Sequence, residues 1–287
     1  MKSLIDYIIL EELGISNDVI ALTAKIKSTI GKDYAKCENT GDKFLVKLRL
    51  LPNDEVIVLK RKKKVKFFDK TITVIYYVID DTRHKNSAIN SYFQRYLSHF
   101  NIVTNELKLF LAGDGKKISW KRSDSTLQHE VEHWYQQYRK GDALLNAKHM
   151  KKYNFAQNLI KDKNPIKRDI GLVYYYAEDV ERAAIMNGLY ALIMSRNAES
   201  MIEKPEDVLK EYPHYKNIAA IRDDIYGLEK NAKRKQLIID ALADINKTYD
   251  SFIKLANKTV DQYIKGFGRT ICKAKKDLDE QYKNIIY

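Results

Sequence analysis

The sequence predicts an α+β protein: a β-sheet with helices in the N-terminal part, one polar helix carrying paired histidines, and a mostly helical C-terminal part. Two patterns lead there. Between residues 43 and 80, β-branched and aromatic residues alternate with charged ones, as in half-buried strands. After Asp124 the apolar residues recur at spacings of three and four, the period of a helix with one buried face. With 287 residues, 45% of them hydrophobic, the chain can also bury a substantial core.

In chain order, Val19, Ile20, Leu22, Ile26 and Ile30 predict a first helix over 17–30, with Ser16 or Asn17 as its N-cap and Gly31 at its end. Phe44, Val46, Leu48 and Leu50 alternate with Lys47 and Arg49, Pro52-Asn53-Asp54 reads as a turn, and EVIVL and TITVIYYVI complete three or four strands. A helix is expected from Asn86 to Phe100, then two short strands, ELKLFLA and KISWKR, joined at Gly113-Asp114-Gly115. Helices follow, with breaks at Gly141, near Pro165, Pro205 and Pro213, and at Gly266-Phe267-Gly268. Ile238, Ala241, Leu242, Ile245, Tyr249, Ile253, Ala256, Val260 and Ile264 form one stripe, read as a single long amphipathic helix.

Charge and cysteine usage narrow the function classes. The formal net charge is +13, and its densest block is Lys60-Arg-Lys-Lys-Lys-Val-Lys66. That block reads first as a solvated strand end or hairpin tip, and second as a surface for nucleic acid or an acidic partner, without an RNP, zinc-finger or helix-turn-helix signature beside it. Cys37 and Cys272 are far apart and outside any CxxC pair, so they read as buried thiols in a reducing compartment. Asp6, Glu11 and Glu12 interrupt the apolar N-terminus, which therefore does not read as a signal peptide, and no run of about 18 apolar residues spans a membrane. A soluble protein without a membrane association is expected.

The chemistry concentrates in LQHEVEHWYQQYRKG, residues 127–141. Ser125 with Gln128 reads as a capping box, and Lys140-Gly141 as a helix end. On that helix Leu127, Val131, Trp134 and Tyr138 make an apolar stripe, with His129 and His133 on nearly the opposite side. Two imidazoles one turn apart can bind one ion, and a glutamate between them can take a proton from water activated by zinc. The plainer alternative is two solvent-facing histidines on a surface helix.

A tetrahedral catalytic zinc takes a third protein ligand. The extended pattern HExxHxxGxxH fails, because Gln136 and Arg139 stand at its glycine and last histidine positions. The best candidate is Glu181 in VYYYAEDVERAA, where it begins an E-x-x-A pattern with Ala184 one turn on and Gly188 extending a track of small residues. An acidic first helix turn, favoured by the helix dipole, accounts equally for Glu178 and Asp179.

His129-Glu130-Val131-Glu132-His133, followed by Glu181-Arg-Ala-Ala184, resembles the gluzincin branch of the zincin metallopeptidases. It is also similar to zincin-like proteins of bacteria and their phages. The resemblance covers residues 70 to 195 and implies a zincin-like fold with Zn2+ held by His129, His133 and Glu181. It further implies Glu130 as the general base of peptide-bond hydrolysis through a zinc-bound water, a peptide or protein substrate, and a cytoplasmic site in a phage-infected host or a place within a phage particle. The resemblance is silent on the rest of the chain, and the pattern of elements divides it into an α/β region over 1–122 with a mixed or antiparallel sheet, a zinc-binding helical region over 123–200 in the same catalytic unit, and a helical region over 201–287.

Two departures accompany it. Ile185 stands where thermolysin-like enzymes carry an acidic residue, so that a carboxylate supporting a histidine falls to Glu178 or Asp179. Glu132 makes HEVEH satisfy the inverted motif HxxEH as well, and both glutamates lie about 80° from the mean histidine direction, so helix geometry does not choose the base. Tyr174, Tyr175, Tyr176 and Tyr190 stand near Glu181 in sequence as oxyanion-stabilising groups, though none is distinguished among 20 tyrosines. TITVIYYVI is the strand that would hold a substrate backbone beside the site. The other readings are a catalytically inactive zincin-like structural or phage-particle protein and, last, a basic nucleic-acid-binding protein.

Overall fold

A computed structural model describes residues 16–35, 43–47, 55–80, 98–101, 104–113, 117–120, 123–140, 147–197 and 204–286. The class is α+β, with a mixed sheet in the N-terminal part and helices beyond it. The chain forms two compact units, one of Ser16–Arg139 and one of Lys140–Tyr287.

In the first unit, helix α1 (Asn17–Ala35) opens with Ser16, whose hydroxyl accepts from the Asp18 N–H at 3.2 Å. It runs through Gly31, where the sequence suggested an end, because Tyr34 extends the buried stripe of Val19, Leu22, Ile26 and Ile30 by one more turn. Strands β1 (Lys43–Lys47), β2 (Glu55–Phe67), β3 (Lys70–Asp80), β4 (His99–Asn101), β5 (Glu106–Gly113) and β6 (Ile118–Ser119) follow. The sheet order is β1-β2-β3-β5-β4, with β6 on β5, and β3 runs parallel to β5 while the other pairs are antiparallel.

This order corrects one expectation. Residues 73–79 of TITVIYYVI lie in β3 paired on both sides, so that stretch offers no free edge to a substrate backbone. The Lys60–Lys66 block is the C-terminal half of β2, a strand end with Lys60, Lys62, Lys64 and Lys66 exposed, and the hairpin tip itself is Phe68-Asp69. The predicted helix over 86–100 and the turns at 52–54 and 114–115 lie outside the described residues, although His99 and Phe100 belong to β4.

One face of the sheet packs on α1 and on helix α2 (Asp124–Lys140) through a core that includes Val65, Ile72, Tyr76, Leu107, Leu109, Val131 and Trp134. The N-cap of α2 is two residues earlier than the capping box implies. The Leu127 N–H bonds the Ser123 carbonyl at 2.8 Å, which makes Ser123 the N-cap and puts Ser125 in the first turn.

The second unit is helical: α3 (Ala147–Ile160), α4 (Pro165–Tyr176), α5 (Asp179–Asn197), α6 (Pro205–Glu211), α7 (Pro213–Gly227), α8 (Ala232–Ala243) and α9 (Tyr249–Ile286). Pro165, Pro205 and Pro213 each occupy a first-turn position, where the missing N–H costs nothing. The long C-terminal stripe is two helices. Asn246 adopts a φ of 54°, its N–H bonds the Ala243 carbonyl and the Lys247 N–H bonds the Leu242 carbonyl at 2.9 Å, a Schellman end that stops α8. Thr248 then caps α9, accepting from the Ser251 N–H.

Gly266 and Gly268 do not break α9. A Cβ on Gly266 would meet Met186 Cε of α5 at 2.8 Å, so this glycine serves a close helix approach. The buried stripe accordingly runs through Ala256, Val260, Tyr263, Phe267 and Ala274, while Ile264 is exposed. Cys272 is exposed and free rather than buried, and Cys37 lies outside the described residues. Among the described residues no helix is long and apolar enough to cross a membrane.

At Gly171 of α4 a Cβ would stand 2.7 Å from the backbone nitrogen of Ile160. Gly171→Ala is expected to destabilise this unit by about 1–3 kcal/mol, since the backbone of α3 cannot swing aside as a side chain could. Urea unfolding followed by circular dichroism checks this, and an unchanged midpoint would contradict the packing.

Candidate metal centre

The rotation of α2 is set by its aromatic side. Leu127, Val131, Trp134 and Tyr135 are buried, Trp134 Nε1–H donates to Asn105 Oδ1 at 2.8 Å, Tyr135 Oη donates to Asp18 at 2.6 Å, and Tyr138 Oη donates to Asp69 at 3.1 Å. Asn105 is itself held in a left-handed turn with φ of 51°, its amide donating to the Thr71 carbonyl. The stripe read from the sequence is therefore real, with Tyr135 added to it.

With that side fixed, His129 and His133 fall on a half-buried face. Their Nε2 atoms are 3.1 Å apart and their rings are nearly perpendicular, at 84°. Two nitrogens on one tetrahedral zinc, each at about 2.0–2.1 Å, would be about 3.3 Å apart, so the pair is already spaced for a shared ion. Burial pushes the His133 pKa down to about 4, which keeps this imidazole neutral near pH 7, as a metal ligand must be.

The two glutamates of HEVEH, equivalent on a bare helix, differ here. Glu132 is 5% exposed and accepts from Gln136 Nε2 at 2.7 Å. Glu130 is half-buried, and its Oε2 accepts from the Phe100 N–H of edge strand β4 at 2.7 Å. One carboxylate is enclosed by its own helix, and the other is oriented by the sheet edge.

Glu181 sits in the first turn of α5, buried at 5% exposure in a helix whose neighbours Ala184, Ile185 and Leu189 are fully buried. A buried carboxylate needs a donor. Tyr175, in the last turn of α4, supplies it: its Oη donates to Glu181 Oε2 at 2.6 Å across the short α4–α5 connection. Burial first, and the Glu181 carboxylate second, hold the Tyr175 phenol well above its ordinary value, so it stays a proton donor to Glu181. His129 and His133 in the first unit each offer a ring nitrogen, and Glu181 in the helical unit offers a carboxylate oxygen. Two imidazole nitrogens and one carboxylate oxygen form a group that could hold a metal ion.

Other residues near Glu181 in sequence have separate employment. Tyr174 packs edge-on against Phe155, Tyr190 Oη donates to Asp277 at 2.6 Å, and Tyr176 Oη lies 3.0 Å from His214 Nδ1 and accepts from Asn217. Asp179 is bound by Arg182 at 2.6 Å. Tyr175 is the one tyrosine of the set bonded to Glu181, and the run of three adjacent tyrosines in the sequence hid it, since phase around α4 alone separates them.

Comparison of the chain with protein-family models, with curated proteins and with solved structures finds no match.

Tyr175→Phe removes the donor that aims Glu181 while keeping the ring. Zinc titration in competition with a chelator is expected to show an affinity lower by about 10- to 100-fold than wild type. Equal affinities would show that Glu181 needs no such support.

Proposed function

We propose that this protein is a zinc-dependent metallopeptidase of zincin-like fold, with His129, His133 and Glu181 as the metal ligands and Glu130 as the general base. The observation that carries this reading is the pair of half-buried imidazoles on one face of an HExxH helix, their Nε2 atoms 3.1 Å apart, with the buried carboxylate of Glu181 as the further member of a group that could hold a metal ion. A zinc ion held there would polarise a substrate carbonyl and lower the pKa of a bound water to about 7.

The chain's own residues divide the remaining work. His129 and His133 supply ring nitrogens from a helix whose opposite side is locked into the core. Glu181 supplies the anionic oxygen, aimed by Tyr175. Glu130 accepts a proton from the attacking water and returns it to the leaving nitrogen as the C–N bond breaks, so the net change is the addition of one water across the peptide bond. Its partial exposure, against the burial of Glu132, supports Glu130 as the base, and the Phe100 N–H fixes the carboxylate's orientation.

A peptidase assay against a denatured protein library tests the reading. Zinc-loaded wild type is expected to cleave and a chelator to stop it; Glu130→Gln should lower the rate by about 10²–10⁴-fold, and Glu132→Gln by far less. Loss with Glu132→Gln alone would transfer the base to Glu132. Zinc binding without cleavage of any substrate would favour a structural, catalytically inactive zincin-like protein.

A further inference from the structure

The Lys60–Lys66 block has no part in the proposed hydrolysis, yet β2 arranges it in a specific way. Strand alternation sends Arg61 and Lys63 to the face packed on α1, where Lys63 Nζ pairs with Asp33 at 2.6 Å. Lys60, Lys62, Lys64 and Lys66 are all exposed on the other face. Successive lysines of this row are about 6.8 Å apart, and the row is about 20 Å long.

Register fixes what lies beside it. Lys60 pairs with Tyr77, and Tyr77 with Phe110 of β5. The Tyr77 and Phe110 rings stack at 4.5 Å and 4°, with Lys60 Nζ 5.7 Å from the Tyr77 ring centre. Beyond the other end of the row, Phe68 at the hairpin tip is 61% exposed. The facing carboxylate Glu106 pairs with Lys62 at 3.0 Å, yet Lys62 stays 59% exposed.

We propose that this sheet face binds single-stranded nucleic acid, phosphates along the lysine row and bases against the aromatic groups at its ends. A straight row of evenly spaced cations matches a linear polyanion. A stacked strand carries one phosphate per about 3.4 Å, so the row meets every second phosphate, or each one in a strand drawn out to twice that rise. Duplex phosphates wind away from a straight row, whereas a flexible strand can follow it. This inference is independent of the metal centre.

The test is fluorescence anisotropy of a labelled oligothymidylate of about 20 nucleotides with the full chain over a salt series. Two variants each lose four positive charges: one combines Lys60→Gln, Lys62→Gln, Lys64→Gln and Lys66→Gln, the other Lys254→Gln, Lys258→Gln, Lys265→Gln and Arg269→Gln at exposed positions of α9. Wild type is expected to bind with an affinity that falls with salt. The β2 variant should lose about tenfold or more, with a log–log salt slope shallower by about 3, and the α9 variant should stay within about twofold. Equal losses in both variants, no binding by wild type, tighter binding to the matching duplex, or tighter binding to phosphatidylserine vesicles would each overturn the proposal. Melting curves of both variants verify that they fold.

Discussion

The seventeen residues of α2 must satisfy two demands at once, and the 3.6-residue period lets them. Leu127, Val131, Trp134 and Tyr135 enter the core beneath the sheet, and their hydrogen bonds to Asn105 and Asp18 allow the helix one rotation about its axis. That rotation fixes the positions of every polar group on the helix: two imidazoles 3.1 Å apart, Glu130 at the sheet edge, and Glu132 turned back onto Gln136. If the aromatic anchors were lost, the helix could persist by propensity, but the imidazole pair would no longer have a defined direction.

The helical unit makes its contribution through one costly choice, a carboxylate in an apolar helix turn. Glu181 is surrounded by residues that could have been aliphatic throughout, and burying its charge costs several kcal/mol unless compensated. Tyr175 offers one compensating hydrogen bond, and a cation would offer the larger one. Glu181 is buried and bonded by Tyr175, whereas Asp179 is exposed and bound by Arg182, which is why Glu181 rather than Asp179 belongs to the candidate centre.

Much of this was legible in the sequence because period and residue type carried it. The α2 stripe, the histidine face, the strand-rich stretch and the three proline starts all follow from local pattern. What was not legible depended on tertiary partners. Gly266 looked like a helix breaker but makes room for Met186, and the α8–α9 break lies at Asn246, in a stripe whose apolar spacing continues straight through it. The position of TITVIYYVI inside the sheet is a matter of strand order, which alternation alone cannot give. Tyr175 could not be told from its two neighbours until the α4–α5 turn chose which ring faces Glu181.

Elemental analysis of purified protein reconstituted with zinc, wild type beside His129→Ala and Glu181→Ala, tests the proposal that His129, His133 and Glu181 bind one zinc ion together. One zinc per wild-type chain is expected, and far less in both variants at matched protein and metal concentrations. A wild type without bound zinc, or a Glu181→Ala protein that retains a full equivalent, would rule out that ligand set.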